Sequence, residues 1–317
     1  MSNRRWVVIL LAGTGVCQGA AAESEVSGDA GLGFELTAER GYRVDRLDWS
    51  IAGQGNGQSP NILSELIWNN LVTRQTKLKL DLNRGALHLF AGGGYGDIDS
   101  GANQDSDYFL DNRQAEFSRS NNGAAGRVAD ASVGIGYRLE SPVSRGYQGY
   151  LMPMAGYSMH RQELTMFNGH QTLDALNDPP LLGPFAGLNS SYDTEWRGVW
   201  GGVSLVNESL ASGLKLVLDV KYHVVRYDAV ADWNLRTDFA HPKSYEHSAN
   251  GEGITIAFNV TSPLNRHISW LVGVDYGNWW TANGVDITYF ADGDVGSTRL
   301  NEVSWESLSL NLGLMLR

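Results

Sequence analysis

The C-terminal segment of the chain alternates strictly between aliphatic residues and mostly small or polar ones. From Leu308 to Leu316 every even-numbered residue is leucine, and the positions between are Ser, Asn, Gly and Met. Because successive side chains of a strand point to opposite faces of a sheet, this segment predicts a strand with one continuous aliphatic face. Such a face needs an apolar neighbour, which is either a second sheet or lipid.

Comparable alternation recurs along the chain. Leu78, Leu80 and Leu82 alternate with lysine, aspartate and asparagine, so one face is apolar and the other is charged. We predict ten such strands, at residues 29–51, 62–83, 86–97, 127–141, 147–167, 190–207, 212–230, 248–262, 267–288 and 300–316.

The connections between these strands are alternately short and long. The short ones are rich in turn-forming residues and lie at 83–85, 141–146, 207–209 and 262–266. The long ones lie at 52–61, 98–126, 168–189, 231–247 and 289–299. The pattern predicts an all-β fold, a ten-stranded antiparallel transmembrane β-barrel of the outer-membrane type with short periplasmic turns and long extracellular loops. A soluble β-sandwich is the alternative.

The N-terminus has the features of a secretory signal peptide. Two arginines, Arg4 and Arg5, precede the apolar run Trp6–Ala12, and small residues follow up to Ala22. We therefore predict a cleaved signal at residues 1–22 and a single barrel domain at 23–317. The apolar run is too short to span a bilayer as a helix, so a membrane location requires a barrel. The predicted location is the outer membrane of a Gram-negative cell.

The composition narrows the classes of function. The 38 glycines, 13 tyrosines and 10 tryptophans are typical of strands and turns. A formal net charge of −11 disfavours nucleic acid as a partner, because phosphate backbones would be repelled. The single cysteine, Cys17, lies within the predicted signal, which leaves no disulfide or thiol site in the rest of the chain.

Two acidic residues in the predicted loop 98–126 are candidates for chemistry. Asp105 and Asp107 stand two residues apart, so on an extended backbone they share a face and can share a water or a proton. Asp232 begins the later long loop. Solvated loop carboxylates are the alternative interpretation of all three.

Several segments resemble the omptins, a family of ten-stranded outer-membrane endopeptidases. The similar segments are Ser64–Asn70, Leu89–Gly96, Asp105–Tyr108, Met154–Arg161 and Lys221–Tyr222. The resemblance implies that Asp105, Asp107 and Asp232 are catalytic. In the family, such carboxylates act with a histidine to activate a water against a peptide bond flanked by basic residues. The resemblance also implies lipopolysaccharide as a ligand. No other cofactor is predicted, and no metal site is predicted because His160, His170 and His223 lack metal-ligand spacing.

The chain departs from the omptin pattern where the base is needed. Two residues after Asp232 the family has histidine, whereas this sequence has Asn234, and an amide cannot take up a proton at neutral pH. His170, His241 and His247 lie in long predicted loops and are the candidates for a substitute base. The sequence has no H-E-x-x-H motif, nucleophile elbow or phosphate loop.

Three hypotheses remain. The favoured one is a barrel without standard protease activity that has a structural or surface-binding role. The others are an endopeptidase with a rearranged active site and a small channel, although ten strands enclose a lumen that side chains can largely fill. We expect Lys215, Asp219, Lys221 and Glu306 to face inward and form ion pairs there. Expected partners are outer-membrane lipid, lipopolysaccharide, basic peptides and host or surface proteins, but not nucleic acid.

Overall fold

A computed structural model describes residues 31–144 and 146–317, so the predicted signal peptide lies outside the described residues. The strands are β1 (Gly33–Ile51), β2 (Ser64–Arg84), β3 (Leu87–Leu110), β4 (Gln114–Tyr137), β5 (Leu139–Glu140), β6 (Tyr147–Asp174), β7 (Gly183–Pro184), β8 (Ser190–Ser209), β9 (Lys215–Asp232), β10 (Tyr245–Pro263), β11 (Ile268–Thr281), β12 (Gly284–Tyr289) and β13 (Val295–Leu316). Among the described residues, no helix has the length and apolarity needed to cross a bilayer.

The long strands form one closed antiparallel ring. Each pairs with its neighbour in the chain, and β1 pairs with β13 from Leu36↔Leu316 to Ile51↔Leu300, which closes the circle. β12 continues the ring position of β11, because both strands pair with β10 and β13. The two-residue strands β5 and β7 pair only with β6. The ring therefore has ten positions, and the predicted all-β, ten-stranded fold is confirmed.

The outside of the ring carries an apolar belt. On β13, Leu312 is 62% exposed, whereas the adjacent Asn311 faces inward and is 1% exposed. Leu310 is paired with Tyr42 of β1 and Val274 of β11, and all three are exposed, so the belt continues across strands. Exposed apolar and buried polar positions are the reverse of a soluble fold. This is the arrangement of a barrel whose outer face contacts lipid.

Toward the rim with the long connections, outward-facing ion pairs replace the belt. Arg74 pairs with Asp99 and Arg127 pairs with Glu163, each at 2.5 Å. These charged side chains mark the edge of the apolar belt, since unpaired charges in hydrocarbon are costly. Residues beyond Asp99 on β3 therefore lie outside the membrane-spanning part of the strand.

Two sequence predictions are wrong in detail. The predicted loop 98–126 is a strand hairpin, because β3 and β4 continue beyond the belt and leave only residues 111–113 as a turn. Polar residues occupy both faces there because both are outside lipid, so the alternation disappears although the ladder continues.

Glu306 does not face the lumen. It has the parity of the lipid-facing leucines, is exposed, and is paired in register with Arg46.

The interior has two levels. Beneath the rim with the long connections, a buried apolar cluster receives side chains from every one of the ten ring positions, and we call it the aromatic plug. Its members are Leu47, Trp49, Leu66, Trp68, Leu71, Ile98, Ala124, Val128, Leu164, Met166, Tyr192, Trp196, Val225, Tyr227, Ala229, Ala231, Tyr245, Ala249, Trp279, Leu300, Val303 and Trp305. Toward the short turns lies a cavity of about 400 Å³ that is lined by charged and apolar side chains.

Candidate functional site

The acidic pair Asp105 and Asp107 lies on the extended part of β3, outside the apolar belt. Burial and the neighbouring Asp107 carboxylate hold the pKa of Asp105 well above its usual range, and Arg236 only partly opposes this. Burial likewise raises the pKa of Asp107, against a hydrogen bond from Ser64. Two such carboxylates favour a shared proton, which is the arrangement that the sequence predicted for this pair.

The connection between β9 and β10, residues 233–244, covers this pair. The Trp233 indole lies within hydrogen-bond reach of the Asp105 carboxylate. The same ring packs edge-on against Tyr245, with ring centroids 4.8 Å apart. Arg236 acts electrostatically on both carboxylates while its guanidinium is held by Asp238 at 2.7 Å. The acidic pair therefore faces the Trp233 indole and the Arg236 guanidinium, which both belong to this connection.

Asp232 is the last residue of β9 and does not join the acidic pair. The odd-numbered residues from His223 to Ala231 face the interior, so Asp232 has the parity of the outward-facing positions. Its carboxylate is 2.6 Å from Nδ1 of His241. Within the described part of the chain, no hydrogen bond or ion pair links Asp232 to Asp105 or Asp107. Asp232 is therefore joined to His241 rather than directly to the acidic pair.

His241 is one of the histidines predicted as a substitute base, and both of its ring nitrogens are engaged. Nδ1 lies beside Asp232, and Nε2 is 3.2 Å from the backbone carbonyl oxygen of Arg236. The imidazole is thus directed at its own loop. It fastens residues 233–244 to the end of β9.

Asn234 stands at the position of the family histidine and connects two loops. Its Oδ1 accepts hydrogen bonds from the backbone N–H of Asn189 at 2.9 Å and from the Ser190 hydroxyl at 3.0 Å. Its Nδ2 donates to the carbonyl oxygen of Gly187 at 2.7 Å. Both ends of the amide are therefore hydrogen-bonded, and the partners all lie in or next to the connection that precedes β8.

A second histidine and carboxylate couple, which the sequence did not predict, lies inside the barrel. His247 Nε2 is 3.1 Å from Asp286, and Nδ1 is 2.8 Å from the Tyr192 hydroxyl, which in turn contacts the Tyr227 hydroxyl at 2.6 Å. His247 is 1% exposed, and Trp49 packs edge-on against its ring at 4.8 Å. The available signal was the alternation of Tyr245, His247 and Ala249, which marks an inward-facing strand rather than a loop.

These geometries limit the chemistry of the mouth, the region of Asp105, Asp107 and their covering loop. A general base must reach the proton that it removes, directly or through one water. His241 points at its own loop, and the ring nitrogens of His247 are occupied by Asp286 and Tyr192. His170, the third candidate, is exposed at the outer end of β6, where its backbone is in register with Pro184 of β7. The part of the chain that the structure describes also has no group of three or more His, Cys, Asp and Glu residues suited to a metal ion.

The His241 and Asp232 couple gives a pH-dependent prediction. The hydrogen bond and charge of Asp232 raise the pKa of His241 above 6.5. Because the pKa of His241 is raised in the folded state, the couple stabilises the fold fully at pH values below the unfolded-state pKa. This stabilisation is lost as the pH rises through the folded-state pKa. We expect NMR titration in micelles to show His241 titrating above the unperturbed value, and Asp232→Asn to remove the shift. Equal titration in both proteins would contradict the assignment.

Comparison with known proteins agrees with the fold. The family model described as "Pom: Protochlamydia outer membrane protein" matches residues 37–316. The outer membrane protease OmpT from Escherichia coli is similar in structure, with 14% identity, a TM-score of 0.66, and coverage of 89% of this chain and 96% of OmpT. The translocator domain of the autotransporter NalP from Neisseria meningitidis matches at 11% identity and a TM-score of 0.35, over 92% and 90% of the two chains. No curated protein sequence matches the chain significantly.

At 14% identity the likeness to OmpT shows the fold alone. Together with the apolar belt, the family match identifies an integral β-barrel of the outer membrane, and the predicted location is confirmed. The chain belongs to the Protochlamydia outer membrane protein family.

Proposed function

We propose that this protein is a closed outer-membrane barrel without standard protease activity, and that it has a structural or surface-binding role. The observation that carries the proposal is that two of the three candidate substitute bases, His241 and His247, have no free ring nitrogen. Both ring nitrogens of His241 and of His247 are already engaged. A carboxylate pair without a base can bind a cation or a water, but it lacks the group that omptin chemistry requires.

The outermost hairpin supports a binding role. Phe109 is 56% exposed and stacks on Phe117 with ring centroids 4.1 Å apart. Leu110, Leu176 and Leu181, from this hairpin and the connection after β6, are more than half exposed as well. Apolar side chains beyond the lipid belt are typical of a surface that contacts other molecules.

Lipid contacts are proposed for the outer surface. Arg74, Arg127 and Arg197 face outward beyond the belt, and each is ion-paired with a carboxylate on a neighbouring strand. Guanidinium groups at that height suit the phosphates of lipopolysaccharide. This contact is a proposal that follows from the omptin resemblance.

A rearranged endopeptidase is the second candidate function. It is favoured by the coexistence, near the mouth, of an acidic pair on β3 and the His247 and Asp286 couple. Burial, together with carboxylates of both groups, raises the pKa of Tyr245. Activity would require His247 to leave Tyr192 and reach a water. The channel hypothesis is disfavoured because the aromatic plug receives residues from every ring position.

A cleavage assay separates the proposed function from the protease alternative. The purified barrel, supplemented with lipopolysaccharide, is incubated with a dibasic fluorogenic peptide, with OmpT as the positive control. We expect no hydrolysis above buffer, and no difference between the wild type and Asp107→Asn. Hydrolysis that is abolished by Asp107→Asn and by His247→Gln would overturn the proposal and support the rearranged protease.

A further inference from the structure

The cavity below the aromatic plug extends to the short-turn rim. Its lining includes Glu35, Lys215 and Met315, which lie within three residues of a strand end at that rim. Its upper boundary is formed by Trp279 and Trp305, which belong to the plug. A molecule in this cavity of about 400 Å³ therefore enters from the periplasmic side.

Most charged groups that line the cavity are paired. Arg43 bonds Asp130 at 2.8 Å, Lys79 lies 2.8 Å from Glu39, and Lys77 pairs with Asp275. Glu35 lies within ion-pair distance of Arg317 and Lys215, and Asp81 contacts His88. Among the described residues, Asp219 and Lys221 are the lining groups of opposite charge for which no ion pair or hydrogen bond is found.

Asp219 and Lys221 stand side by side on β9, with their side chains on the luminal face. The Lys221 ammonium lies 4.4 Å from the centre of the Trp200 ring instead of on a carboxylate. Asp219 is paired in register with Ala257 of β10, whose small side chain leaves space in front of the carboxylate. The wall therefore presents one cation and one anion about 7 Å apart along the strand.

A third polar group lies next to them. Asn259 follows Ala257 by two residues on β10 and so shares its face; it lines the cavity and is 7% exposed. Its Oδ1 has no hydrogen-bond partner in the described part of the chain. This oxygen is buried against Gly273 of β11, so the Asn259 side chain contributes to the wall without presenting its oxygen to the cavity.

The wall beside Lys221 is apolar. Met152, Met154 and Trp200 form a separate buried cluster against which Phe90 and Tyr150 pack. All five residues line the same cavity. An apolar ligand group placed there would be transferred from water to a surface of thioethers and aromatic rings, which is favourable.

We propose that this cavity is a periplasm-facing binding site for a small apolar amino acid in its zwitterionic form. The ligand carboxylate binds Lys221, its ammonium group binds Asp219, and its side chain contacts the Met152 and Met154 wall. Charge-assisted hydrogen bonds at both ends give the selectivity, because a molecule with one charge leaves the other wall group unpaired.

The test uses L-leucine as the probe with the full-length folded barrel in detergent. Binding is measured by calorimetric titration and compared with 3-methylbutylamine and 4-methylpentanoate, each of which lacks one of the two charged groups. We expect leucine to bind at least tenfold more tightly than either analogue. Equal binding of all three compounds, or binding of none, would overturn the proposal. This comparison needs only the wild-type protein.

Substitutions locate the site. Lys221→Met and Asp219→Asn should each weaken leucine binding by tenfold or more, whereas Lys243→Met, the same change at a loop lysine outside the lumen, should have no effect. Folding of each variant is checked by heat-modified mobility on gels. Leucine binding that is unchanged in both folded luminal variants would place the ligand elsewhere and refute the assignment.

Discussion

Replacement of Arg43 by methionine is expected to lower the free energy of unfolding by about 3–5 kcal/mol, because it leaves a buried carboxylate without its cation. The Arg43 Nε donates to both oxygens of Asp45 at 2.8 and 2.9 Å, and Nη1 donates to Asp130 at 2.8 Å. Asp45 is 1% exposed, and its one other hydrogen bond is a long one, 3.4 Å, from Trp305. Asp130 keeps a second partner, since His160 Nδ1 lies 2.8 Å from it.

The measurement is equilibrium unfolding by guanidinium chloride in lipid vesicles. Arg46→Met is the matched control, because Arg46 pairs with Asp48 on the outer face at 3.1 Å and an exposed pair contributes less than about 1 kcal/mol. The double variant Arg43→Met/Asp45→Asn should recover part of the loss, since no uncompensated charge remains. If Arg43→Met cost no more than Arg46→Met, the buried pair would not have the role assigned to it.

The second large effect concerns the aromatic plug. Trp279 and Trp305 are stacked with centroids 5.3 Å apart, and Trp196 lies about 6 Å from each of them. The three rings are at most 2% exposed. Replacing all three by alanine should connect the cavity with the mouth. The variant should then conduct ions in planar bilayers, whereas the wild type should show no conductance. Each truncation should also destabilise the fold by about 3–5 kcal/mol.

The control for the plug variant is Trp270→Ala/Trp280→Ala. These two tryptophans are partly exposed and have the parity of the outer face of β11, so their removal should leave the lumen closed. A stable unitary conductance of the wild type would show that the plug does not seal the barrel. A folded triple variant that remains silent would show that Trp196, Trp279 and Trp305 are not the barrier.

The fold could be predicted because lipid imposes a signal on the sequence. Wherever a strand lies in the belt, as between Leu308 and Leu316, an apolar outer face alternates with a polar inner face. Beyond the belt this signal ends, because water solvates both faces. The extended β3–β4 hairpin was therefore interpreted as a loop, and the Asp105 and Asp107 pair was placed in that loop.

The site could be predicted only in part. A spacing of two residues on an extended backbone places Asp105 and Asp107 together, and that inference depends on one strand alone. The His247 and Asp286 couple joins residues 39 positions apart on different strands, so pairing and register must be known first. The path of residues 233–244, which brings Trp233 and Arg236 to the acidic pair, leaves no periodic trace in the sequence.

The orientation of Asp232 shows the limit of reasoning from motif position. The sequence suggests that one substitution, histidine to Asn234, removes the base from an otherwise preserved site. In the structure the carboxylate of Asp232 is engaged by His241, and Asn234 is hydrogen-bonded to the connection before β8. The position of Asn234 in a motif therefore does not predict the contacts that its side chain makes.

The most direct test of this account is therefore the cleavage of a dibasic fluorogenic peptide by Asn234→His in the presence of lipopolysaccharide. Since residue 234 is directed at residues 187–190 and Asp232 faces outward, the account predicts a folded variant with no more hydrolysis than the wild type. Turnover that appears in Asn234→His and disappears again when Asp107→Asn is added would contradict it, because a single imidazole would then have completed a catalytic site with Asp107.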